Sequence, residues 1–552
     1  MVLKEFLANL GFRVAVETLG RAAYGRQMRL ATDPVAAQAN ALRAILDACK
    51  RTEQGVAFQI EARMGVDEYR RRVPIHSYED LRAGIERQIA TAARVVAPER
   101  PLMYARTSGT TGKPKYIPVT SRVRAQAIST QRAMSFAQHR AVRAFKGKVL
   151  GFGGAVREET LSDGTPAGAA SGLIYTTMPR FMRAKYVLPS SLFTLADYDL
   201  KYRVAARLAA QTPDITLMAC ANPSSLLRLM QALTANLPAI AAEIAEGSCV
   251  ALSQLPEPVA GEVAKRLRPD RSRGADLRAL ANRGGDISIA DVWPQVRSVT
   301  TWLSGGCTHA AATVRAQLPA NAIMVDAGYV ASEVRGSIVM DVEHGLALPM
   351  LGEVFFEFAP VESWEMGRQE TVLLQDIEID REYYVIVSTV SGLLRYHMND
   401  VVRATGRIAA TPTFAFVRKG RGVTSICGEK LAENQVCSAI ATLPRPPRFF
   451  IVLADAVAAT YRAYLEFEDT ADPDTVARSI DEVLAELNIE YAAKRSSGRL
   501  KPLVLVFLRP GAGEAYHRHC VAAKGQREAQ AKVLALQSVE SFDFDLTPFI
   551  VR

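Results

Sequence analysis

Tyr104-Ala-Arg-Thr-Ser-Gly-Thr-Thr-Gly-Lys-Pro-Lys-Tyr-Ile-Pro-Val-Thr120 is the segment from which the rest of the chain can be interpreted. A β-type run over 102–106 enters a loop of Thr, Ser and Gly, and a second over 116–119 leaves it. Such a loop gathers backbone N–H groups, hydroxyls and ammonium groups, the donor set that a polyphosphate needs. Gly109 and Gly112 let the backbone approach closely, Ser108, Thr110 and Thr111 add rotatable donors, and Lys113 and Lys115 add charge. The rival is a Walker A loop, and it fails on spacing. Thr107 stands where that motif needs its first Gly, and Lys113 is followed by Pro114 in place of Ser or Thr. Pro114 and the β-type exit also argue against a helix starting at the lysine.

The bulk properties set limits. The chain has 552 residues, 49% hydrophobic and 22% charged, which supplies ample core and is too long for one ordinary domain. Its net charge of +10 suits an anionic ligand. The basic residues are dispersed among acids, and no zinc-finger, basic-zipper or RNP-type pattern appears, so no specific nucleic-acid partner is expected. Seven cysteines without a C-x-x-C pair read as reduced thiols in a cytoplasmic protein. His517-Arg-His519-Cys520 is the one metal-like cluster, and its spacing matches no standard site. No apolar run approaches the roughly 20 residues of a membrane span. Leu3, Phe6, Leu7, Leu10 and Val14 recur at helical spacing and predict an N-terminal helix packed on its own domain, with a peripheral membrane helix as the alternative.

Working outward, residues 1–100 read as mostly helical, with helices over 36–50 and 78–93. Short buried strands are predicted at 148–151 and 214–219, and a helix from Pro223 with Asn222 as its N-cap. This alternation predicts an α/β sheet architecture. Residues 257–286 read as an exposed helix plus loop. From 352 onward the pattern turns β-rich, with strands at 353–358, 371–374, 383–388 and 414–417. A Gly-bearing basic bend, Arg418-Lys-Gly-Arg-Gly422, then suits a hinge. Beyond it, strands at 449–453, 461–467 and 503–508 surround a helix capped by Asp472, with Val476, Ile480, Val483, Leu484 and Leu487 on one face. The predicted division is a large domain over 1–417, a hinge over 418–422 and a small α+β domain over 423–552.

Three further motifs are individually weak. Trp302-Leu-Ser-Gly-Gly306 suits a flat ring lying on backbone. Tyr329-Val-Ala-Ser-Glu333 puts an aromatic, a hydroxyl and a carboxylate within one turn's reach. Arg395-Tyr-His-Met-Asn-Asp400 ends a strand-rich segment in an acid. Taken alone, Tyr329 reads more often as core than as an adenine contact, Glu333 as a solvated acid and Asp400 as a turn residue.

In this order, however, the motifs resemble those of the adenylate-forming superfamily of acyl-CoA synthetases, adenylation domains and luciferases. The nearer likeness is to its auxin-responsive acyl acid–amido synthetases, known from plants and also from bacteria. That branch carries a Ser-Ser-Gly-Thr-Thr-x-Gly-x-x-Lys loop, here one residue shorter as Thr107 to Lys115. It carries Tyr-x-x-Ser-Glu, here Tyr329 to Glu333, and Tyr-Arg-x-Gly-Asp, here altered to Tyr396-His-Met-Asn-Asp400. Val73-Pro-Ile-His76, Phe355-Phe-Glu-Phe358 and Leu487-Asn-Ile-Glu-Tyr-Ala-Ala-Lys-Arg495 extend the likeness from roughly residue 45 to the C-terminus.

The resemblance implies a large multi-sheet adenylation domain with a small mobile C-terminal domain. It implies an enzyme that activates a carboxylic acid with ATP and Mg²⁺ and passes the acyl group to an amine or amino acid. Ser108, Gly109, Thr110, Thr111, Gly112, Lys113 and Lys115 would cradle phosphates, Tyr329 would border adenine, Ser332 would touch phosphate and Glu333 would ligate Mg²⁺. Asp400 would hold the ribose hydroxyls, and Arg418 and Lys430 would lie near the adenylate. Lys532, with Lys524 as its rival, would be the catalytic lysine that swings in from the small domain. Two departures stand out. His397 replaces Arg, losing a permanent charge, and Asn399 replaces Gly, keeping access to a left-handed turn. The alternatives are an acyl-CoA or other thioester ligase sharing the first step, and a non-catalytic nucleotide-binding protein. Gly151-Phe-Gly-Gly154, Tyr175-Thr-Thr-Met-Pro179 and Ala327 are the candidates for the acyl pocket.

Overall fold

The computed structural model describes residues 10–107, 114–176, 178–304, 307–420, 423–424, 426, 429, 431–455, 457–467, 472–496, 500–523, 534–539 and 542–551. The N-terminal third is helical for local reasons. Helix α1 (Pro34–Cys49) starts where the Asp33 carboxylate accepts the Ala36 amide, with Pro34 in its first turn. Helix α2 (Tyr78–Thr91) starts on a capping box between Ser77 and Asp80 and stops at Ala92, whose φ is +56°. The segment before α1 corrects the sequence reading. Leu10 and Val14 are exposed at 45% and 52%, whereas Phe12 and Val16 are buried. Phe12 packs on Phe145 with ring centroids 5.1 Å apart, and a π-helical turn over Val16–Gly20 rotates the face the chain presents. Residues 1–9 lie outside the described residues.

Strands β1 (Met103–Thr107) and β2 (Lys115–Val119) pair antiparallel, with Met103 opposite Val119 and Thr107 opposite Lys115. The two ends of the Thr/Gly loop therefore meet at one rung of a ladder. Thr120 then caps helix α3 (Ser121–Val142). A four-stranded parallel sheet follows, in the order β3 (Lys148–Gly151), β4 (Ile215–Ala219), β5 (Ser298–Thr301) and β6 (Ile323–Asp326). β4 and β5 are almost wholly buried, as a parallel sheet covered by helices requires. Among those helices is α4 (Ser224–Ala235), whose first amide is accepted by the Asn222 side chain at 3.0 Å. Residues 257–286 hold two helices, Val259–Ala264 and Arg271–Asn282, and these bury Val263 and Leu277 instead of lying free on the surface.

A hairpin of β7 (Ser337–Asp341) and β8 (Leu346–Pro349) leads into a five-stranded antiparallel sheet. Its members are β9 (Val354–Pro360), β10 (Val372–Leu373), β11 (Glu382–Thr389), β12 (Tyr396–Ile408) and β13 (Thr411–Lys419), in the order β10-β9-β11-β12-β13. Phe356, Phe358, Tyr383 and Phe414 interlock edge to face in its core. Two expectations need correction here. Asp400 neither ends a strand nor sits in a turn, because β12 runs on past it to Ile408. Arg418 and Lys419 belong to β13, paired with Val401 and Asp400, so the bend begins only at Gly420.

A further four-stranded sheet is ordered β16-β15-β14-β17, from β14 (Phe449–Asp455), β15 (Thr460–Glu466), β16 (Val504–Leu508) and β17 (Leu536–Ser538). Alternation along β14 divides its two faces. Val452 and Ala454 pack with Ile480 and Leu484 of helix α5 (Pro473–Leu487). Ile451 and Leu453 pack with Tyr516 and Cys520 of helix α6 (Ala512–Ala523). Asp472 caps α5 as expected, but Leu487, at its last turn, is 45% exposed. The Arg228 guanidinium of α4 bridges Asp199 and Glu514, tying α6 to the parallel-sheet region. No helix among the described residues is long and apolar enough to cross a membrane.

Candidate active site

Three separated stretches converge because of what their backbones do. The first is the turn after β6. Gly328 adopts φ +81°, where an added Cβ would lie 2.4 Å from the Ser337 carbonyl oxygen. The chain then doubles back, with Val330 bridged to Arg335 and the Ala331 amide bonded to the Val334 carbonyl at 2.8 Å. Ser332 and Glu333 sit at the tip of this turn.

The second stretch is a bulge in β12. Tyr384 pairs with Val401 and Ile386 with His397, so Met398, Asn399 and Asp400 lie opposite the single residue Val385. Asn399 takes φ +52°, the left-handed conformation anticipated for it. Extra residues of this kind re-aim a side chain, and here the Asp400 side chain is 2% exposed on the wall of a cavity. The Tyr329 hydroxyl donates to Asp400 Oδ2 at 2.8 Å, and the Tyr396 hydroxyl donates to Glu333 Oε1 at 3.4 Å. Burial first, and then the neighbouring carboxylates, push both phenol pKa values well above 10.0, so both tyrosines stay protonated donors. Tyr329 is not an open platform for a ring to stack on. It is 5% exposed, edge to face with Phe414 at 5.9 Å, and it borders the cavity.

The third stretch is the base of the hairpin. Tyr78 of α2 accepts the Tyr116 amide at 2.7 Å, Arg82 donates to the Pro114 carbonyl at 3.1 Å, and Lys115 Nζ lies 5.3 Å from the centre of the Tyr78 ring. Lys115, Ser332, Glu333 and Asp400 all line one cleft of about 2960 Å³. The same cleft is lined by Gly151, Phe152, Gly153, Tyr175, Met178, Trp302 and Ala327, which brings the candidate acyl-pocket segments to the nucleotide motifs. Ser108, Gly109, Thr110, Thr111, Gly112, Lys113, Lys430, Lys524 and Lys532 lie outside the described residues, as does the side chain of Arg418.

His397 is turned elsewhere. Its ring stacks on Trp364 at 4.6 Å and 14°, and it is not part of the cleft lining. His517 lines the far side of the cleft near Arg228 and Glu514, and burial and then the Arg228 charge push its pKa down to about 4. No group of three or more His, Cys, Asp or Glu side chains among the described residues is arranged to hold a metal. Sequence reasoning assigned no role to Tyr396 or Arg335. Tyr396 heads a quoted motif, which was the available signal, whereas nothing in the sequence marked Arg335.

The architecture is shared with solved ligases. AtGH3.15 acyl acid amido synthetase in complex with 2,4-DB superposes with a TM-score of 0.83 at 19% identity, covering 97% of this chain and 96% of that one. A 2-hydroxyisobutyryl-CoA ligase in the postadenylation state superposes at 0.52 with 10% identity, covering 89% and 86%. The fold is thus that of the adenylate-forming ligases, a multi-sheet N-terminal part with a smaller C-terminal α+β part. In sequence, residues 24–320 match the GH3 family N-terminal domain, 347–419 the GH3 family central domain and 435–540 the GH3 family C-terminal domain. The chain belongs to the GH3 family, the family its motifs resemble. Indole-3-acetic acid-amido synthetase GH3.8 of Oryza sativa subsp. indica is 26% identical over 510 residues, 84% of this chain and 82% of its own length.

Proposed function

We propose that this protein is an ATP-dependent acyl acid–amido synthetase, a ligase that forms an amide bond through an acyl-adenylate. The observation that carries the reading is the convergence of Lys115, Ser332, Glu333 and Asp400 on one cleft from three distant stretches of chain. Relatives named as indole-3-acetic acid-amido synthetases support it. A substrate carboxylate attacks the α-phosphate of ATP and pyrophosphate leaves. An amine then attacks the acyl carbon, giving an amide and AMP. Both first-step reactants are anions, so the protein's work is neutralisation and in-line positioning.

Asp400, oriented by Tyr329, is placed to accept the ribose hydroxyls. The Thr/Gly loop, from Ser108 to Lys115, takes the phosphates. Glu333 fits Mg²⁺, a hard cation that is commonly bound by one or two carboxylates together with substrate phosphates. The Tyr396 hydroxyl orients that carboxylate. The ion would supply charge neutralisation on the phosphates. Lys532 supplies the second cation. It lies two residues before Leu534, which lines the cleft. We further propose the division 1–417 and 423–552 about a hinge at 418–422, whose turning point is Gly420. Rotation there withdraws Lys532 and admits the amine. A cytoplasmic location fits the buried thiols Cys49, Cys220 and Cys249.

The test is acid-dependent pyrophosphate release over a library of carboxylic acids, with the products of an amino-acid mixture and of CoA identified by mass spectrometry. Acyl-CoA without amide would establish the thioester ligase instead. No AMP formation with any acid would leave a non-catalytic nucleotide binder, a reading weakened by His397 lying away from the cleft. Lys532→Ala should lower pyrophosphate exchange by on the order of 10²–10³ while leaving ATP binding intact. Exchange at the wild-type rate would remove Lys532 from the mechanism.

A further inference from the structure

Helix α3 presents a stripe to the cleft at helical spacing: Val123, Ala127, Gln131, Met134 and Gln138. Opposite it stands Arg335, at the base of the turn that carries Glu333, also lining the cleft. Arg335 Nη1 donates to Gln131 Oε1 at 3.4 Å, and among the described residues no carboxylate pairs with this guanidinium. Arg335 is half-buried, and it lines the cleft. A half-buried cation whose partner among the described residues is a neutral amide carries uncompensated charge there, which favours an anion to meet it. A guanidinium presents parallel N–H donors that match a carboxylate.

The surroundings narrow the choice of anion. A triphosphate calls for several cations, whereas Arg124, the one arginine of α3 in the cleft lining, is about two turns from Gln131, and the lining residues between and beside them, Ala127, Thr130 and Met134, are uncharged. That wall fits a single anionic head on an organic body. Gln138, about two turns further along α3, adds a donor. Its Oε1 accepts from Thr300 at 3.1 Å, while its buried Nε2 has no hydrogen-bond partner among the described residues.

Resting on the function proposed above, the geometry points to Arg335, positioned by Gln131, as the residue that binds a substrate carboxylate in the cleft. Two substrates of the reaction carry one: the acid to be activated, and an amino-acid acceptor through its α-carboxylate. The experiment uses full-length wild type, Arg335→Gln and Gln131→Glu. The last supplies an internal carboxylate that would occupy the guanidinium without removing it. Acid-dependent ATP–pyrophosphate exchange needs no acceptor, so it isolates the first substrate. If Arg335 holds the acid, the KM for acid rises at least ten-fold in both variants and the KM for amino acid is unchanged. If it holds the acceptor, exchange is unchanged and the KM for amino acid rises at least ten-fold. The matching amine without a carboxylate is then used as well as by wild type.

Unchanged KM values for both substrates in both variants overturn the assignment. So does a rise confined to the KM for ATP, or a lowered thermal midpoint in Arg335→Gln with unaltered kinetics in Gln131→Glu. Should wild type show no exchange with any acid, the proposed function falls, and acid-induced thermal stabilisation by benzoate and hexanoate decides the inference separately. A shift present in wild type and lost in Arg335→Gln sustains it. Equal shifts, or none in wild type, overturn it.

Discussion

Glu357 and Asp400 are two buried carboxylates of one antiparallel sheet, 1% and 2% exposed, and the sheet treats them differently. Glu357, in β9, meets two arginines. Arg395 donates through Nε and Nη2 at 2.9 and 3.1 Å, Arg70 through Nε at 2.8 Å, and the Thr371 hydroxyl adds a fourth bond at 2.8 Å. Its charge is spent inside the fold, joining the helical N-terminal region to the sheet through Arg70. Asp400, five positions after Arg395, receives the neutral Tyr329 hydroxyl and lies on a cavity wall. The difference teaches how to separate a structural acid from a functional one when both are buried. The first is met by permanent cations on regular strand backbone, while the second is displaced by a bulge onto a cavity wall, where the Tyr329 hydroxyl donates to it.

The largest expected effect falls on the structural member. Glu357→Ala leaves Arg395 buried without its counterion, and breaking a buried pair in this way costs about 3–5 kcal/mol. Urea denaturation should show a loss of that size, with ATP affinity normal in whatever fraction remains folded. Asp400→Ala should behave in the opposite way. Its ATP affinity drops, because the carboxylate on the cavity wall has gone, while its stability falls by less than that of Glu357→Ala. Charged hydrogen bonds contribute about 1.5–3 kcal/mol, or roughly 10- to 150-fold in Kd by calorimetry. If Asp400→Ala instead unfolds as readily as Glu357→Ala, the two acids are alike and the distinction is void.

Tyr329→Phe is a finer probe of the same contrast. It deletes the donor to Asp400 and leaves the ring packed on Phe414. A loss of about 1 kcal/mol is expected, roughly five-fold in ATP affinity, with little change in stability. A stacking role for the Tyr329 ring would instead leave affinity untouched in this variant.

How much of this was legible depends on the range of the signal. The capping residue Asp472 and the buried strands at 148–151 and 214–219 are local patterns, and they read correctly from a few neighbouring residues. The bulge in β12 is not local. Asp400 alternates out of register only because β11 and β13 hold both flanks of the strand, so no composition near it distinguishes a strand interior from a turn. The N-terminal face failed for a related reason. Leu10 and Val14 have helical spacing, but Phe145 lies where Phe12 and Val16 can reach it. Arg335 was passed over because an arginine two residues past a motif looks like any surface arginine. Only the absence of a carboxylate around it among the described residues, visible in three dimensions, sets it apart.

The smallest effect belongs to Asn399, where the chain departs from the glycine of the motif it resembles. An L-residue in the left-handed region typically costs roughly 1–2 kcal/mol, less for Asn because its short polar side chain bonds locally. Glycine would relieve that cost and add back chain entropy in the unfolded state, about 0.4–1 kcal/mol in the other direction. The two nearly cancel, so Asn399→Gly should change stability by less than about 1 kcal/mol and leave ATP affinity within two-fold. Asn399→Val meets no such cancellation, because a branched side chain is strained at φ +52°. It should lose about 2 kcal/mol and pull Asp400 off the cavity wall, lowering ATP affinity too. The neighbour across the bend sharpens the test. The Gly420 amide donates to the Asn399 carbonyl at 2.9 Å, and a Cβ at Gly420 would lie 2.5 Å from Asn399 Oδ1. If Asn399→Gly abolishes ATP binding, the amide is itself part of the site and the bulge needs a side chain. If it does not, the backbone alone places Asp400, and the departure from glycine is neutral to the chemistry that separates Asp400 from Glu357.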